Sequence, residues 1–385
     1  MALHFSPEEY EGRKASVLAK MADRKLDALL LFSQETMFWL TGYDTTGFNL
    51  FQCLILRKNG ETDLLTRSAD RLQAKLTSNI DNIHIWSDRV KKKASPAMQL
   101  RGLLDDLDLL GCKIGIEYDA HGLTAKDGKT LDESLRSFAD TEDVSRVIPP
   151  LRAIKSGAEI AFARKAGELT DLAYQETLPL IAAGADESKI LATLQGTILE
   201  HGGDYPANDF VISSGAEALM CHYKTGRRML DAQDQLTLEW AGAFRHYHAP
   251  ASRTIIIGRP QPRHRELFKI AMRALSAIES VMTPGHMIGD IFDTHARVVD
   301  EMGGNSLRMN ACGYSVGATF APSWMDWPLI YRGNENQVSP NMTLFAQINL
   351  LDNNEKVAMS LGQTYLTTDG APEPLSNLPL DLAIR

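Results

Sequence analysis

One carboxylate in the second half of the chain occupies a position that suits chemistry. Apolar and polar residues alternate from 235 to 240, which is the period of a strand with one buried face. The apolar members are Leu236, Leu238 and Trp240, and the polar members are Gln235, Thr237 and Glu239. Because the apolar set should face the core, Glu239 should point to the opposite face, where a carboxylate can activate water or attack a substrate directly. The alternative is a surface carboxylate that pairs with Arg253 or Arg245.

His222 is the second candidate for catalysis. An imidazole has an unperturbed pKa near neutrality, so it can pass a proton to a departing nitrogen. The alternative is a core imidazole that is hydrogen-bonded to the backbone.

Two domains are expected, with a boundary at a tandem proline. A chain of 385 residues exceeds the size of one typical hydrophobic core. Pro149 and Pro150 follow an apolar pair, and tandem proline cannot continue a helix or a central strand. We therefore predict one domain over residues 1–150 and a second over residues 151–385.

The order of helical and strand-like stretches predicts a fold class for each domain. In the first domain, a helical pattern at 8–25 precedes strand-like runs near 26–32, 49–56 and 113–118, which is typical of a mixed α/β domain. In the second domain, Ser156 and Glu159 form a capping-box signature at a helix start. Further helical patterns alternate with strand-like runs, and helices grouped on one side of largely antiparallel strands make an α+β domain.

Charge and composition argue against two classes of partner. The net charge of -9 argues against nucleic acid, because phosphate backbones require a basic surface. No apolar run approaches the ~20 residues that span a bilayer, so we expect no membrane partner. Four scattered cysteines and a start without a secretory pattern predict a cytoplasmic protein in a reducing compartment.

Several motifs occur in an order that resembles one family. They are Trp39-Leu40-Thr41-Gly42-Tyr43, Arg152-x-x-Lys155-Ser156, Ile212-Ser213-Ser214-Gly215, His222, the stretch from Glu239 to Thr254, Gly313-Tyr314-Ser315-Val316-Gly317 and the strand at Thr364. This order is similar to that of the creatinase / aminopeptidase P / prolidase family. The resemblance implies an α+β pita-bread domain at the C-terminus, a smaller α/β creatinase-type domain before it, and a homodimer that acts on a small molecule.

The resemblance also implies a set of metal-ligand positions, of which one keeps a carboxylate. The positions fall on Glu239, Pro250, Tyr314, Gln347 and Gly362. Proline and glycine side chains offer no ligand atom, and a neutral phenol with a pKa near ~10 is a poor ligand for zinc or manganese. One anionic oxygen donor cannot hold a catalytic dication. We therefore interpret the site as metal-free and expect no cofactor.

The hairpin resembles that of the ectoine-hydrolase branch of the family. The matching runs are Glu239-Trp-Ala-Gly and Arg245-His-Tyr247-His248-Ala-Pro250-Ala-Ser-Arg253-Thr. This branch and creatinase hydrolyse non-peptide carbon–nitrogen bonds without a metal, and a creatinase-type catalytic histidine falls on His222. An amidinium or guanidinium carries its own positive charge, so it calls for a carboxylate such as Glu239 rather than a metal ion. Tyr314 could donate a hydrogen bond to the tetrahedral species.

Further residues are implied in substrate binding. The resemblance places Trp39, Tyr43, Trp324 and Trp327 in loops around the active-site mouth, the first two from the partner subunit. Indole faces attract cations, although core packing is the alternative for each ring.

The remaining binding candidates each have a structural alternative. Tyr247 and His248 are adjacent on a strand, so one of them at most faces the site. Arg253 either braces the hairpin or binds a substrate carboxylate. Asp326 either supplements Glu239 or caps its own loop. Gln347 falls on one of the implied ligand positions.

We predict a metal-independent hydrolase of a small cationic carbon–nitrogen compound, such as a cyclic amidine, a guanidino compound or an ectoine-like molecule. One alternative is a metal-dependent Xaa-Pro dipeptidase or aminopeptidase. Another is a catalytically inactive protein that binds a small ligand.

Overall fold

The chain divides into two compact units, Met1–Arg152 and Ala153–Arg385. The computed structural model describes residues 3–87, 95–223 and 226–385. The division falls within two residues of the boundary expected at the tandem proline. Each unit contains its own clusters of buried apolar side chains.

The first unit contains a mixed sheet with helices around it. Its helices are α1 (Pro7–Arg24), α2 (Gln34–Thr41), α3 (Arg71–Thr77), α4 (Pro96–Asp106) and α5 (Ala125–Leu135), and its strands are β1 (Ala28–Leu31), β2 (Cys53–Arg57), β3 (Thr62–Thr66), β4 (Asn82–Ile85), β5 (Lys113–Ile116) and β6 (Asp140–Asp143). The strand order is β4-β3-β2-β1-β5-β6. β2 pairs antiparallel with β1 and β3, whereas the other neighbours are parallel, which confirms the predicted mixed α/β class.

The tandem proline begins a short helix, α6 (Pro149–Ala153), instead of standing outside regular structure. Proline is tolerated in the first turn of a helix, because the amide hydrogens of that turn have no partner within the helix. The prolines thus mark the boundary by starting an element.

The second unit contains the larger, antiparallel sheet. Its helices are α7 (Gly157–Thr177), α8 (Glu187–Glu200), α9 (Pro262–Glu279) and α10 (Ile288–Glu301), and its strands are β7 (Val211–Ser214), β8 (Asp234–Phe244), β9 (Tyr247–Ile257), β10 (Ala311–Ser315), β11 (Asp326–Tyr331), β12 (Thr343–Asp352), β13 (Val357–Leu366) and β14 (Glu373–Pro374). The strand order is β11-β10-β12-β13-β9-β8-β7, and β14 pairs with β13. Within the described ranges, no helix is both long and apolar enough to cross a bilayer.

The four long helices of this unit cover one face of its sheet. Leu238 lies opposite Arg253, Arg253 opposite Leu361, and Leu361 opposite Ile348, so these four side chains share a face. Leu238 packs with residues of α7 and α8, while Leu361 and Ile348 pack with residues of α9 and α10. The α+β class is therefore confirmed, and the row of residues one position along each strand faces away from the helices.

A buried histidine in α10 couples the stability of the second unit to pH. His295 is 1% exposed, and neither ring nitrogen has a hydrogen-bond partner among the described residues. Burial lowers the pKa of His295 to about 4, with the charge of Arg308 acting in the same direction. Since the unfolded histidine takes up its proton near pH 6.5, the unfolded state binds more protons between about pH 6.5 and pH 4.

We expect His295→Leu to flatten the loss of stability on acidification. In the wild type, the His295 contribution to the unfolding free energy should fall by on the order of 3 kcal/mol between pH 7 and pH 4, because one pKa unit corresponds to about 1.4 kcal/mol. Urea unfolding across this pH range measures the effect. The control is His121→Leu at an exposed histidine. Equal pH slopes for the wild type and His295→Leu would contradict the assignment.

Candidate functional site

The strand register places a row of side chains from neighbouring strands beside Glu239. Ser252 of β9 lies opposite Glu239, Gly362 of β13 lies opposite Ser252, and Gln347 of β12 lies opposite Gly362. On the other side of β8, Val211 of β7 lies opposite Glu239. This row lies on the face of the sheet that the helices leave uncovered, as the alternation in β8 predicts.

Glu239 is a partly buried carboxylate held by a neutral neighbour. The Gln347 amide donates a hydrogen bond from Nε2 to Glu239 Oε2. Burial raises the pKa of Glu239 to about 7, and the hydrogen bond from Gln347 opposes that rise. A carboxyl with this pKa can both accept and return a proton near neutral pH, which is the property of a general acid–base catalyst.

A small cavity of about 20 Å³ adjoins Glu239. Thr237 and Glu239 of β8 form part of its wall, and Asn349 and Ser360 close it from β12 and β13. Met220 and Cys221, which follow the 3-10 helix Gly215–Leu219, also line it. Apolar residues such as Val211 and Leu351 form the rest of the wall, and a space of this size accommodates about one water molecule.

Tyr314 of β10 is a neutral phenol on the same face of the sheet. Trp324 Nε1 donates a hydrogen bond to the phenol oxygen at 2.8 Å, which leaves the phenol proton to be donated elsewhere. Burial raises the pKa of Tyr314 well above its usual range, and the charge of Glu239 raises it further. Tyr314 is therefore a neutral phenol that can act as a hydrogen-bond donor.

The residues around Glu239 do not fit the divalent cation that the family resemblance implies. A Cβ atom on Gly362 would lie 2.5 Å from Ser252 Oγ and 2.8 Å from Phe345 Cζ, so no ligand side chain fits there without displacing both. Gln347 and Tyr314 supply only neutral donors. Across the described ranges, no three His, Cys, Asp or Glu side chains are grouped as a cation would need.

His222 lies beside the site but outside its cavity. Its side chain is exposed and borders a wide depression of about 470 Å³ together with Met220, Tyr223 and Arg227. Met220 is shared between this depression and the cavity at Glu239. The alternative of a core imidazole is wrong, because the side chain is open to solvent. The catalytic role of His222 stays a prediction.

Tyr247 and His248 face opposite sides of the sheet, as expected for neighbours on a strand. Tyr247 donates a hydrogen bond to Glu159 of α7 at 2.6 Å, so it belongs to the helix face and cannot contact a ligand at Glu239. This placement corrects the substrate-binding expectation for Tyr247.

His248 is buried as a neutral imidazole. The backbone amide of Ala207 donates to Nε2 at 3.0 Å, and Nδ1 lies 3.1 Å from the Thr319 hydroxyl. Burial lowers the pKa of His248 to about 4. Because Nε2 accepts, the ring proton sits on Nδ1. Both nitrogens are thus committed, and the ring braces the loops at residues 207 and 319.

Arg253 faces the helices and braces the sheet. Its Nη1 donates to the carbonyl oxygens of Ser252 at 2.8 Å and Gly362 at 2.7 Å. Since its side chain lies on the opposite face from Glu239, neither an Arg253–Glu239 ion pair nor a substrate carboxylate beside Glu239 is within its reach. Arg253 therefore braces the sheet, and the expectation that it binds a substrate carboxylate is wrong.

The two aromatic residues expected from the first unit lie in its core. Trp39 belongs to helix α2 and is 5% exposed, with the Arg13 guanidinium 5.2 Å from its ring centre. Tyr43 is fully buried and donates a hydrogen bond to Gln52. The core-packing alternative therefore describes both rings, because apolar side chains cover them.

The tryptophans and the aspartate near Tyr314 have three different positions. Trp324 is fully buried in a loop, and its hydrogen bond to the phenol oxygen orients Tyr314. Trp327 lies in strand β11, not in a loop, and packs against the cluster formed by α9 and α10. Asp326 accepts a hydrogen bond from the Trp327 amide at 2.8 Å, which favours the capping alternative over a role beside Glu239.

Three buried hydroxyl groups near Glu239 were not predicted from the sequence. The hydroxyls of Ser213, Thr237 and Ser252 share its face of the sheet and have no hydrogen-bond partner among the described residues. The alternation in β8 already placed Thr237 on this face, so Thr237 could have been recognised. Ser213 and Ser252 could not, because their position depends on strand pairing.

Solved structures that superimpose on this chain include a prolidase and an X-Pro aminopeptidase. A prolidase from Thermococcus sibiricus superimposes with a TM-score of 0.87 over 98% of this chain and 99% of its own, at 17% identity. An X-Pro aminopeptidase from Thermotoga maritima gives a TM-score of 0.83 over 97% and 99%, also at 17% identity. These likenesses establish a pita-bread fold preceded by a creatinase-type domain.

Relatives in sequence include an ectoine hydrolase as well as a peptidase. An ectoine hydrolase from Halomonas elongata is 29% identical over 406 aligned positions, which cover 100% of this chain and 99% of the relative. An Xaa-Pro dipeptidase from Pyrococcus furiosus is 24% identical over 211 positions, covering 55% of this chain and 59% of the relative.

Two family models match the chain, one in each unit. The model of the creatinase/prolidase N-terminal domain matches residues 13–154. The model of metallopeptidase family M24 matches residues 161–369, which is more than half of the chain. With the fold and the order of its motifs in agreement, this chain belongs to metallopeptidase family M24, a family of hydrolases.

Proposed function

We propose that this protein hydrolyses a carbon–nitrogen bond in a small cationic compound, such as a cyclic amidine or a guanidino compound, without a metal ion. The observation that carries the proposal is a single partly buried carboxylate, Glu239, whose hydrogen-bond partner is the neutral amide of Gln347. An uncompensated carboxylate in a recess favours a ligand that brings positive charge, because pairing offsets the cost of removing the carboxylate from water. The ectoine hydrolase of Halomonas elongata, which matches the whole chain, supports an ectoine-like substrate.

The chemistry follows from the charge of the substrate. Attack of water on an amidinium carbon forms a carbon–oxygen bond, moves the carbon–nitrogen π pair onto nitrogen and passes one water proton to Glu239. Glu239 then returns the proton to the departing nitrogen, the carbon–nitrogen bond breaks as the new carbonyl forms, and the remaining hydroxyl proton passes to the released nitrogen, so that an amide and a protonated amine result. Tyr314 is suited to donate a hydrogen bond to the tetrahedral carbon's oxygen, since its own proton is free of acceptors among the described residues.

The substrate charge also removes the need for a Lewis acid. A metal ion stabilises the negative oxygen that forms when a neutral peptide bond is attacked. An amidinium is neutralised by the same attack, so little negative charge builds up on its substituents. A peptide substrate would therefore be a poor match for Glu239 and Tyr314, and the dipeptidase alternative would require a bound cation, which the residues around Glu239 do not fit.

Glu239→Gln should abolish turnover while leaving the protein folded. An amide of the same shape cannot accept a proton from water, and general-base catalysis contributes roughly 10²–10⁴-fold. The assay incubates the enzyme with ectoine and with a panel of amidines and guanidino compounds, and mass spectrometry detects addition of one water.

The matched control makes the same change at the exposed carboxylate of Glu355. Glu355→Gln should retain wild-type turnover. If Glu239→Gln also retained it, Glu239 would not be the catalytic base. A wild-type enzyme that shifts in thermal stability with a panel compound but never hydrolyses it would favour the ligand-binding alternative.

The pH dependence of kcat/KM should show an acid limb near pH 7. Activity requires the ionised carboxylate, so kcat/KM should fall about tenfold per pH unit below the Glu239 pKa of about 7. Gln347→Leu removes a hydrogen bond that favours the ionised form, so the limb should move to higher pH. An acid limb of kcat/KM near pH 4.5 in the wild type would contradict the assignment of this limb to Glu239. An acid limb at the same pH in Gln347→Leu and the wild type would contradict it as well.

Activity should survive removal of divalent cations. We expect purified protein to contain far less than one equivalent of manganese, zinc or iron by elemental analysis, and turnover of a panel compound to be unchanged after dialysis against EDTA. A near-stoichiometric metal whose removal stops turnover, together with cleavage of Xaa-Pro dipeptides, would instead establish the peptidase alternative.

A further inference from the structure

We infer that Thr237 holds the hydrolytic water against Glu239, in the small cavity that the two residues share. This assignment rests on the proposed function for the fate of the water, but the binding of the water itself does not depend on any substrate.

The geometry of β8 brings the two side chains to the same cavity. Thr237 and Glu239 are two positions apart on one strand, so both point away from the helices with their Cα atoms about 7 Å apart. Both contribute to the wall of the cavity of about 20 Å³. A water between them can reach a hydroxyl on one side and a carboxylate on the other at ordinary hydrogen-bond length.

The Thr237 hydroxyl lacks a protein partner. Thr237 is 8% exposed, and its Oγ1 has no hydrogen bond to any described residue. Buried hydroxyls are almost always satisfied by protein or by ordered water, and the space beside this one matches a single water. Asn349 and Ser360 also border the cavity, where the Ser360 hydroxyl donates a hydrogen bond to Asn349.

The position of the water suits attack on a bound cation. Gln347 occupies Glu239 Oε2, which leaves Oε1 to accept a proton from the water. With Thr237 accepting its other hydrogen, the water keeps an oxygen lone pair free to attack a substrate carbon. Its oxygen bonds to the substrate carbon, one proton passes to Glu239, and the π pair of the carbon–nitrogen bond moves to nitrogen. Thr237 is a positioning residue, because it acts by orienting the water.

Two variants, Thr237→Val and Thr237→Ser, distinguish the effect of losing the hydroxyl group from the effect of changing the shape of the side chain. Valine replaces the hydroxyl with a methyl group, so we expect kcat for ectoine or another hydrolysed panel compound to fall by up to about a hundredfold with little change in KM. Serine keeps the hydroxyl and should restore most of the rate. Equal kcat values for the wild type and Thr237→Val would overturn the assignment.

Ser213→Ala is the matched control. Ser213 lies directly opposite Thr237 on β7 and also has a buried hydroxyl without a described partner, but it does not border the cavity. Its removal should leave kcat unchanged. A loss equal to that of Thr237→Val would show that any hydroxyl lost from this face disturbs the enzyme, and the specific role of Thr237 would fail.

A structural measurement decides the question even if no compound is hydrolysed. High-resolution crystal structures of the wild type and Thr237→Val should show a water within hydrogen-bond distance of both Thr237 Oγ1 and Glu239, and its loss in the variant. A dry cavity in the wild type overturns the inference whatever the activity. A bound water in an enzyme that hydrolyses nothing upholds the water site and rejects the proposed function alone.

The source of the oxygen tests the role of the water. In a single turnover in ¹⁸O-water, direct attack places ¹⁸O in the first product molecule. If Glu239 attacked the substrate itself, the first product would instead carry ¹⁶O from the carboxylate, and Thr237 would not hold the attacking water.

Discussion

The hydrogen bond between Gln347 and Glu239 joins two strands that are far apart in the chain, and the site is built around it. The bond can form because β13 and β9 lie between these strands in one continuous antiparallel register. A shift of one residue in any pairing would turn one of the two side chains toward the helices. Arg253 opposes such a shift, since it links the carbonyl oxygens of neighbouring strands from the other face.

The environment of Glu239 makes its ionised form costly in the folded protein. Its pKa of about 7 lies above the usual value because burial disfavours the charged form, so ionising it in the folded protein costs free energy as pH rises from about 4.5 to 7. The hydroxyls of Thr237 and Ser252, which have no hydrogen-bond partner among the described residues, add to this cost unless water or a ligand meets them. Such costs concentrate where a protein binds or reacts, and a cationic ligand would offset most of them.

Local patterns predicted the elements better than they predicted contacts. The first helix, the strands that include Leu29, Ile55 and Ile114, and the capping box at Ser156 followed from periodicity and end signals. The face of Glu239 followed from alternation in one strand. Trp39, Tyr43 and Tyr247 were misplaced, because whether an aromatic ring packs in a core depends on elements distant in sequence. The meeting of Glu239 with Gln347 was implied by resemblance and could not be derived from local pattern.

The family name and the donor set of this chain point to different chemistry, and packing explains why single changes would not reconcile them. At Gly362 a longer side chain would collide with Phe345, whose ring lies 5.4 Å from that of Tyr314. Tyr314 in turn is held by Trp324, which is fully buried. A ligand side chain at Gly362 would therefore have to displace a connected group of aromatic rings. Restoring a carboxylate at one other position would leave that group in place, so no single change would create a set of cation ligands.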